Sequence, residues 1–266
     1  MVKIKFDHEL DLTMFKDKLI KEQRMWRVLD DQKLEILDQD HDKTSQMLTQ
    51  MFYSVDLKPM LIEILINQYF YYDFDEMNAI LSFAAQMLLT DQYRDVTFLS
   101  DLRATMQQYF TVDPDQSFFY YDKQKHIFFE QAGWLLEEVV ARSIDEKKQE
   151  ERYQVFLESL REYVRARDKG PLCFVKWRNG EGDIYHENGH YYTKEELNRK
   201  VLETPIHIYQ FAQNEQKLSP FLALNPRQIL VYPDNETDPV LISLQNIFDE
   251  RLVMIHNHTF PFENQT

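Results

Sequence analysis

Three aspartates at alternate positions, Asp38, Asp40 and Asp42, have the spacing of the first three ligands of a calcium-binding loop. Carboxylate oxygens at that spacing suit a hard cation. The rest of the loop pattern is missing, because Lys43 stands where the sharp turn needs glycine and Thr49 stands where a bidentate glutamate would close the site. The sequence therefore favours a structural role, in which the last of these aspartates caps the next helix.

Two histidine groups have the side-chain types of a zinc site. His186, Glu187 and His190 lie around one turn, and His256 alternates with His258 near the end of the chain. His186 and His190 flank a turn between two strands, so their side chains need not point the same way. We interpret the first group as a polar hairpin tip. The second falls in a polar terminal segment, where solvated histidines are expected.

Cys173 is the single cysteine, so the chain can form neither an internal disulfide nor a cysteine-based zinc site. Paired with a histidine it would be a nucleophile, but its neighbours Phe174 and Val175 favour a small buried hydrophobe. No nucleophile elbow, phosphate loop, dinucleotide fingerprint or HExxH motif occurs. The sequence therefore predicts no catalytic, cofactor-binding or metal-ligating residue. An enzyme without a known motif, such as a hydrolase with converging carboxylates and histidines, remains the alternative.

Two runs are unusually rich in aromatic residues, namely FFYYDKQKHIFF from Phe118 to Phe129 and YFYYDF from Tyr69 to Phe74. Aromatics at this density suit either a core buried between helices or an exposed patch that docks a partner protein. Apolar stripes are mostly core, and we predict the core role for both runs.

The formal net charge of −15 disfavours a broad nucleic-acid interface or an anionic membrane, and it suits a basic protein partner. A local basic cluster, Arg161, Arg165, Arg167 and Lys169, leaves nucleic-acid binding as an alternative, although cations also suit a helix C-terminus. The first residues lack the apolar core of a signal peptide, and the most apolar stretch is too short to span a membrane. We expect a cytoplasmic protein without membrane insertion.

Periodicity predicts a small αβ unit first, with a strand through Val2, Ile4 and Phe6, then a helix, then two strands. A mainly helical region follows. Its predicted helices are 44–53, 60–72, 74–89, 96–110 and 153–164. Pro59 separates the first two, and Asp73 caps the third.

The composition changes at RARDKGP, 165–171, where basic residues, glycine and proline end a helix. We therefore predict a region 1–168 and a C-terminal α/β module 171–258. Within the module, Asn-Gly turns predict strands at 173–177, 183–186 and 190–192. A capped helix from Thr193, a helix near 211–224 and a closing βαβ unit with parallel strands complete it. The fold class is α+β.

The stretch LNPRQILVY places Arg227 at the N-terminal end of the first strand of that βαβ unit. Ligands of parallel sheets gather beyond the carboxyl ends of the strands, so we predict a scaffold role for Arg227. Any site in this module is expected past Tyr232, in PDNETD.

Three blocks of this half resemble the YtxC-like family of sporulation proteins from spore-forming bacteria. They are SIDEKKQEERYQVFLESLREYV, then YHENGHYYTKEEL, then SPFLALNPRQILVY followed by LISLQNIFDERLVMI. The likeness is best from Phe128 to Ile255. It implies a role in sporulation and implies no reaction, cofactor or catalytic residue. We therefore expect a protein that acts through contacts with an unknown protein partner.

Overall fold

The computed structural model describes residues 1–90, 97–205 and 215–262. The chain divides into two compact units, Met1–Gln149 and Glu150–Thr266. The division falls inside one long helix, whereas the change in composition falls just after that helix ends, at 165–171. The class is α+β, as the sequence predicts.

The first unit contains a four-stranded sheet with the order β2-β3-β1-β4. Its strands are β1 (Val2–Lys5), β2 (Trp26–Asp30), β3 (Lys33–Ile36) and β4 (Phe118–Tyr120). Antiparallel pairing of β1 with β3 and of β2 with β3 confirms the predicted strands, and helix α1 (Glu9–Lys21) connects β1 to the hairpin. The sequence did not indicate β4, which pairs parallel to β1.

Four further described helices of this unit, and a fifth that continues into the second unit, follow from amphipathic or apolar segments. They are α2 (His41–Met51), α3 (Leu57–Asn67), α4 (Phe74–Leu89), α5 (Thr97–Tyr109) and α6 (Tyr121–Arg165). Residue 96 of the predicted fourth helix lies outside the described residues. Helix α6 is 45 residues long and includes the predicted helix 153–164. Among the described residues, no helix has both the length and the apolar character needed to cross a membrane.

Pro59 does not separate α2 from α3, contrary to the prediction. A π-helical turn, Phe52–Asp56, joins the two helices without a break. Proline lacks the amide that would bond to the Val55 carbonyl, and a widened turn just before it accommodates the loss. Helix α3 also ends five residues earlier than predicted, at Asn67, so Tyr69–Tyr72 form a loop and not a helical turn.

The core of the first unit is aromatic as well as aliphatic. Phe6 packs on Phe15 and Tyr121, while Phe52 packs on Phe110, with ring centroids 4.8–5.5 Å apart. Aromatic pairs at this separation add to the free energy gained by burying their surface. The run Phe118–Phe129 contributes three buried rings to this core, those of Phe119, Tyr121 and Phe128, whereas Tyr120 is 46% exposed. The core prediction therefore holds for most of this run.

The second unit has a sheet with the order β6-β5-β7-β8. Its strands are β5 (Gly170–Arg178), β6 (Glu181–Tyr185), β7 (Pro226–Pro233) and β8 (Leu252–Met254). Its helices after α6 are α7 (Lys194–Leu202), α8 (Ser219–Leu224) and α9 (Pro239–Phe248). Antiparallel β5 and β6 confirm the hairpin, and parallel β7 and β8 around α9 confirm the βαβ unit.

Two predictions for this unit need correction. A third strand at 190–192 does not form, since that segment makes a single bridge between Tyr185 and Tyr191. The helix predicted at 211–224 is α8 preceded by a 3-10 turn, Glu215–Leu218, and residues 211–214 lie outside the described residues. The capping box at Thr193 and Glu196 is present.

Candidate functional site

Four aromatic side chains after α3 form an exposed surface, which we call the aromatic surface: Tyr69, Phe70, Tyr72 and Phe74. The last three are each about 70% exposed, at 69%, 68% and 71%. The core role predicted for this run is therefore wrong. Burial requires neighbouring elements, and a loop that leaves the helix at Asn67 carries these rings outward. Large apolar rings grouped on a surface are typical of contact sites.

The loop holds its shape through backbone contacts. The Tyr71 N–H donates to the Leu65 carbonyl at 3.1 Å, and Tyr71 itself is half-buried against the core. Asp73 Oδ1 accepts from the Glu76 N–H at 2.9 Å and caps α4. Between these anchors Phe70 takes a left-handed conformation with φ of 58°. That conformation costs a non-glycine residue about 1–2 kcal/mol, and strain of this kind gathers at functional sites.

A cavity of about 410 Å³ opens beside the aromatic surface. Its walls come from the loop and from helices α4 and α6. The lining residues are Tyr69, Phe70, Tyr71, Tyr72, Glu76, Ala141, Ile144, Asp145 and Lys148. Its volume is within the range of about 300–1,000 Å³ that small-ligand sites occupy. The cavity therefore combines aromatic faces with carboxylates.

Carboxylates give this region its electrostatic character. Gln68 Nε2 donates to Glu137 Oε1 at 2.6 Å, which holds the loop against α6. Partial burial, followed by the charges of Glu137, Glu138 and Asp145, raises the pKa of Tyr69. The Tyr69 hydroxyl therefore stays protonated at neutral pH and remains a hydrogen-bond donor.

A second group of polar residues lies inside the first unit, around Lys125. Its Nζ is 2.8 Å from Asp56 and from Asp122, and 3.7 Å from Asp11. All four side chains are at most 14% exposed. The Tyr121 hydroxyl donates to Asp56, and the Asp7 N–H donates to Asp122 Oδ2 at 2.7 Å. Sequence reasoning missed this cluster.

The pKa shifts in the cluster follow from burial and pairing. Burial raises the pKa of Asp11 and outweighs the attraction of Lys125. Burial is the largest single influence on Lys125 and on Asp122 and opposes ionisation of both, but their hydrogen bonds and the attraction between opposite charges together outweigh it, so the Lys125 pKa rises and the Asp122 pKa falls. The one ammonium thus reduces the repulsion among three carboxylates.

The calcium-like aspartates serve structural roles. Asp38 pairs with Arg24, whose Nε lies 2.7 Å from Asp38 Oδ2. Asp40 Oδ1 accepts from the Lys43 N–H at 2.9 Å and caps α2, so the cap is Asp40 and not the predicted Asp42. Within the described residues, no three histidine, cysteine, aspartate or glutamate side chains are grouped so that they could hold a metal ion.

The histidine groups do not converge on a common point. His186 stacks on Tyr192 with ring centroids 3.6 Å apart, and its ring centroid is 6.0 Å from that of His190. Glu187 forms an ion pair with Arg227 at 2.5 Å. Arg227 thus joins β7 to the hairpin tip, which agrees with a scaffold role.

The described part of the C-terminal segment, which ends at residue 262, packs against the second unit's sheet region, and residues 263–266 lie outside the described residues. Phe260 is buried and contacts Tyr185 and Tyr232 with ring centroids 5.2 Å apart. His256 is exposed just before a 3-10 turn, Asn257–Thr259, that follows β8, and His258 is exposed within that turn, so they do not share a strand face.

Cys173 lies in the core of the second unit and is fully buried. Burial raises the pKa of its thiol to about 12. A thiol with that pKa carries almost no thiolate at neutral pH and is a poor nucleophile.

The basic cluster is spread over local contacts. Arg161 pairs with Glu158 at 2.7 Å, and Arg165 approaches the same glutamate at 3.8 Å. Arg167 lies over the Tyr163 ring and donates to the Leu222 carbonyl, while Lys169 is exposed beyond the end of α6. The positive charges of these arginines suit the partial negative charge at the C-terminal end of α6.

The polar groups of the loop beyond Tyr232 form hydrogen bonds within the protein. The Asp234 N–H donates to the Trp177 carbonyl, and Asp234 Oδ2 accepts from the Asn179 N–H, both at 3.1 Å. Asp238 caps α9. This edge of the sheet therefore offers less to a ligand than the aromatic surface does.

Comparison with known proteins agrees with the resemblance in the C-terminal half and extends it. The sequence pattern of the YtxC-like family matches residues 42–253, far upstream of Phe128. "Uncharacterized protein YtxC" of Bacillus subtilis (strain 168) is 22% identical over 218 residues, covering 80% of this chain and 76% of that protein. No solved structure matches the chain. Because the family pattern spans most of the sequence, the chain belongs to the YtxC-like family.

Proposed function

We propose that the protein is a cytoplasmic, non-enzymatic protein of sporulation that acts through contacts between proteins, and that the aromatic surface makes those contacts. The exposure of Phe70, Tyr72 and Phe74 carries the proposal. Aromatic residues are enriched at protein interfaces because each supplies a large contact area at low entropic cost. The resemblance to sporulation proteins supports the proposed role in sporulation.

The test is complementation of a deletion strain in the organism that carries the gene. Wild-type protein should restore the frequency of heat-resistant spores, and the double variant Phe70→Gly/Tyr72→Ser should not. Glycine suits the left-handed backbone at position 70, so this variant loses the ring without new strain. Tyr120→Ser is the matched control, because Tyr120 is 46% exposed on a different element, β4. Normal sporulation of the deletion strain would refute the proposal.

A hydrolase-type enzyme is the second candidate, and one observation favours it. Asp11, Asp56 and Asp122 converge from distant segments of the first unit around Lys125 and Tyr121. Converging buried carboxylates are found in many active sites. Against this, the Lys125 ammonium already pairs with the carboxylates, as in a structural ion-pair network.

Tyr121→Phe separates the two candidates, since it keeps the ring and removes the hydroxyl. The contact proposal predicts that a folded Tyr121→Phe protein complements the deletion. Loss of complementation by that variant, together with full activity of Phe70→Gly/Tyr72→Ser, would favour the enzyme.

A further inference from the structure

We propose that the aromatic surface and the cavity beside it bind an arginine- or lysine-rich segment of the partner protein. The proposal rests on the contact function proposed above and adds the chemical class of the partner. Two independent properties of the region support it, the nature of its exposed rings and the sign of the charges around them.

The exposed rings suit cationic side chains. A guanidinium or ammonium group is attracted to the face of a phenylalanine or tyrosine ring, more strongly when both are removed from water. Phe70, Tyr72 and Phe74 present such rings close together along the chain, and Tyr69 adds a half-exposed one. The described part of the same unit already contains three contacts of this type, among them Arg142, which lies 5.1 Å from the Phe98 ring centroid.

The surrounding charges favour the same occupant. Among the described residues near the loop, carboxylates come from the loop, α4 and α6, namely Asp73, Asp75, Glu76, Glu137, Glu138 and Asp145. The basic residues of the same region are Arg142, Lys147 and Lys148. Arg142 pairs with Glu138 at 2.7 Å and Lys147 lies 3.5 Å from Glu76, so two basic residues and two carboxylates already contact each other. The remaining four carboxylates outnumber the remaining basic residue, Lys148.

The cavity is an open depression at the aromatic surface. Its volume of about 410 Å³ is large enough for one long side chain, and Glu76, Asp145 and Lys148 line it together with the rings of Tyr69 and Tyr72. An arginine inserted there meets aromatic faces and carboxylates at once, and its planar fork can contact a carboxylate through two N–H groups.

Anionic partners do not fit this region. The six described carboxylates around the loop outnumber its three basic residues, one of which, Lys148, lines the cavity, and this excess together with a net charge of −15 disfavours phosphate backbones and anionic lipid headgroups. A cationic segment is instead attracted from a distance, and its association weakens as salt screens the charges.

The test uses the full-length protein and a synthetic peptide of alternating arginine and glycine. Its matched control peptide has citrulline in place of arginine, which keeps the shape and removes the charge. Calorimetric titration at low and at physiological salt should show saturable binding of the arginine peptide. The citrulline peptide should bind at least about tenfold more weakly, because each lost cation–π contact and ion pair weakens the complex.

Two variants locate the binding. Phe70→Gly/Tyr72→Ser removes rings, and Glu76→Gln/Asp145→Asn removes cavity carboxylates; each should weaken arginine-peptide binding about tenfold. Tyr120→Ser is the ring control. Asp17→Asn/Asp101→Asn is the charge control, since it removes the same charge from exposed positions on α1 and α5. Both controls should bind the peptide as wild type does.

Equal binding by all variants would overturn the proposal, because it would show diffuse attraction to an acidic protein. Equal binding of the citrulline peptide, or no binding of either peptide, would overturn it as well. If Phe70→Gly/Tyr72→Ser proves unfolded, Tyr72→Ser/Phe74→Ser takes its place, since both residues are exposed.

The outcomes separate this inference from the function on which it rests. Loss of complementation by Phe70→Gly/Tyr72→Ser without any binding of the arginine peptide would leave the contact function standing and reject the basic partner. The opposite outcome is also possible. If the arginine peptide binds at the aromatic surface but the deletion strain sporulates normally, the sporulation role is rejected and the proposal of a basic partner stands.

Discussion

The hydroxyl of Tyr121 donates a 2.6 Å hydrogen bond to Asp56 Oδ2. The bond joins the first turn of α6 to the π-helical turn between α2 and α3. Burial, followed by the charge of Asp56, raises the pKa of Tyr121, so the hydroxyl keeps its proton and remains the donor. Lys125, one turn along α6, contacts the other oxygen of the same carboxylate at 2.8 Å.

Removing the ammonium from this cluster should destabilise the first unit. Lys125→Met leaves Asp56 and Asp122 buried without a counterion, which costs about 3 kcal/mol or more of unfolding free energy. Urea unfolding followed by circular dichroism measures the loss. Lys123→Met is the control, because Lys123 is exposed on the same turn and its change should stay within about 0.5 kcal/mol. Equal stability of the two variants would show that the cluster contributes little.

Much of the fold follows from local signals. Caps at Asp73 and Thr193, alternation in β1 and the βαβ pattern near the C-terminus all appear as predicted. Each depends on residues near one another in the chain, where spacing alone decides which side chains share a face.

The candidate site could not be predicted from local sequence signals. The runs at 69–74 and 118–129 have similar composition, yet one is exposed and the other forms core, because burial depends on the elements that pack against each run. The Lys125 cluster could not be predicted from the sequence either, since Asp56 lies 69 positions from Lys125 along the chain. The one local signal for this cluster is the spacing of Tyr121 and Asp122 from Lys125, four and three positions, which places them near Lys125 on a helix.

The Arg24–Asp38 pair should make stability depend on pH. A hydrogen bond from Arg24 lowers the pKa of Asp38 below its ordinary 3.8. A lowered carboxylate pKa contributes stability above the ordinary value, and that contribution is lost as the pH falls through the folded-state pKa. The stability difference between wild type and Arg24→Met should therefore be largest near neutral pH and shrink below about pH 4. Unfolding in urea at several pH values tests this.

An exposed ion pair provides the control for the pH series. Lys33 pairs with Asp30 at 2.7 Å on the surface, and solvent screening leaves such pairs with little net effect. The hydrogen bond from Lys33 also lowers the pKa of Asp30, but water screens this exposed pair, so the stability difference for Lys33→Met should be smaller than that for Arg24→Met at every pH. If the stability difference between wild type and Arg24→Met stays constant down to pH 2, the pH dependence cannot be assigned to ionisation of Asp38.

Asn225 should be the most sensitive polar residue of the second unit. It is buried in a left-handed conformation, and its Nδ2 donates to the carbonyls of Val164, Arg167 and Asp168 at 3.0–3.2 Å. Its Oδ1 accepts from Arg251 at 2.7 Å. Asn225→Gly keeps the backbone and loses these bonds, at a cost of about 2–3 kcal/mol. Asn225→Ala should cost about 1 kcal/mol more, because alanine disfavours positive φ. Equal unfolding free energies for the two variants would rule out the backbone contribution.

Cys173 should report the unfolding of the second unit. Its thiol is buried, with a pKa raised to about 12, so a maleimide or disulfide reagent should react far more slowly with native protein at pH 8 than with protein in urea. Because the chain has one cysteine, every labelled molecule reports that position. The labelling rate should rise in Asn225→Ala, which destabilises the same unit, and should change less in Lys125→Met, which acts in the first unit. Fast labelling of native wild-type protein would contradict the burial of Cys173.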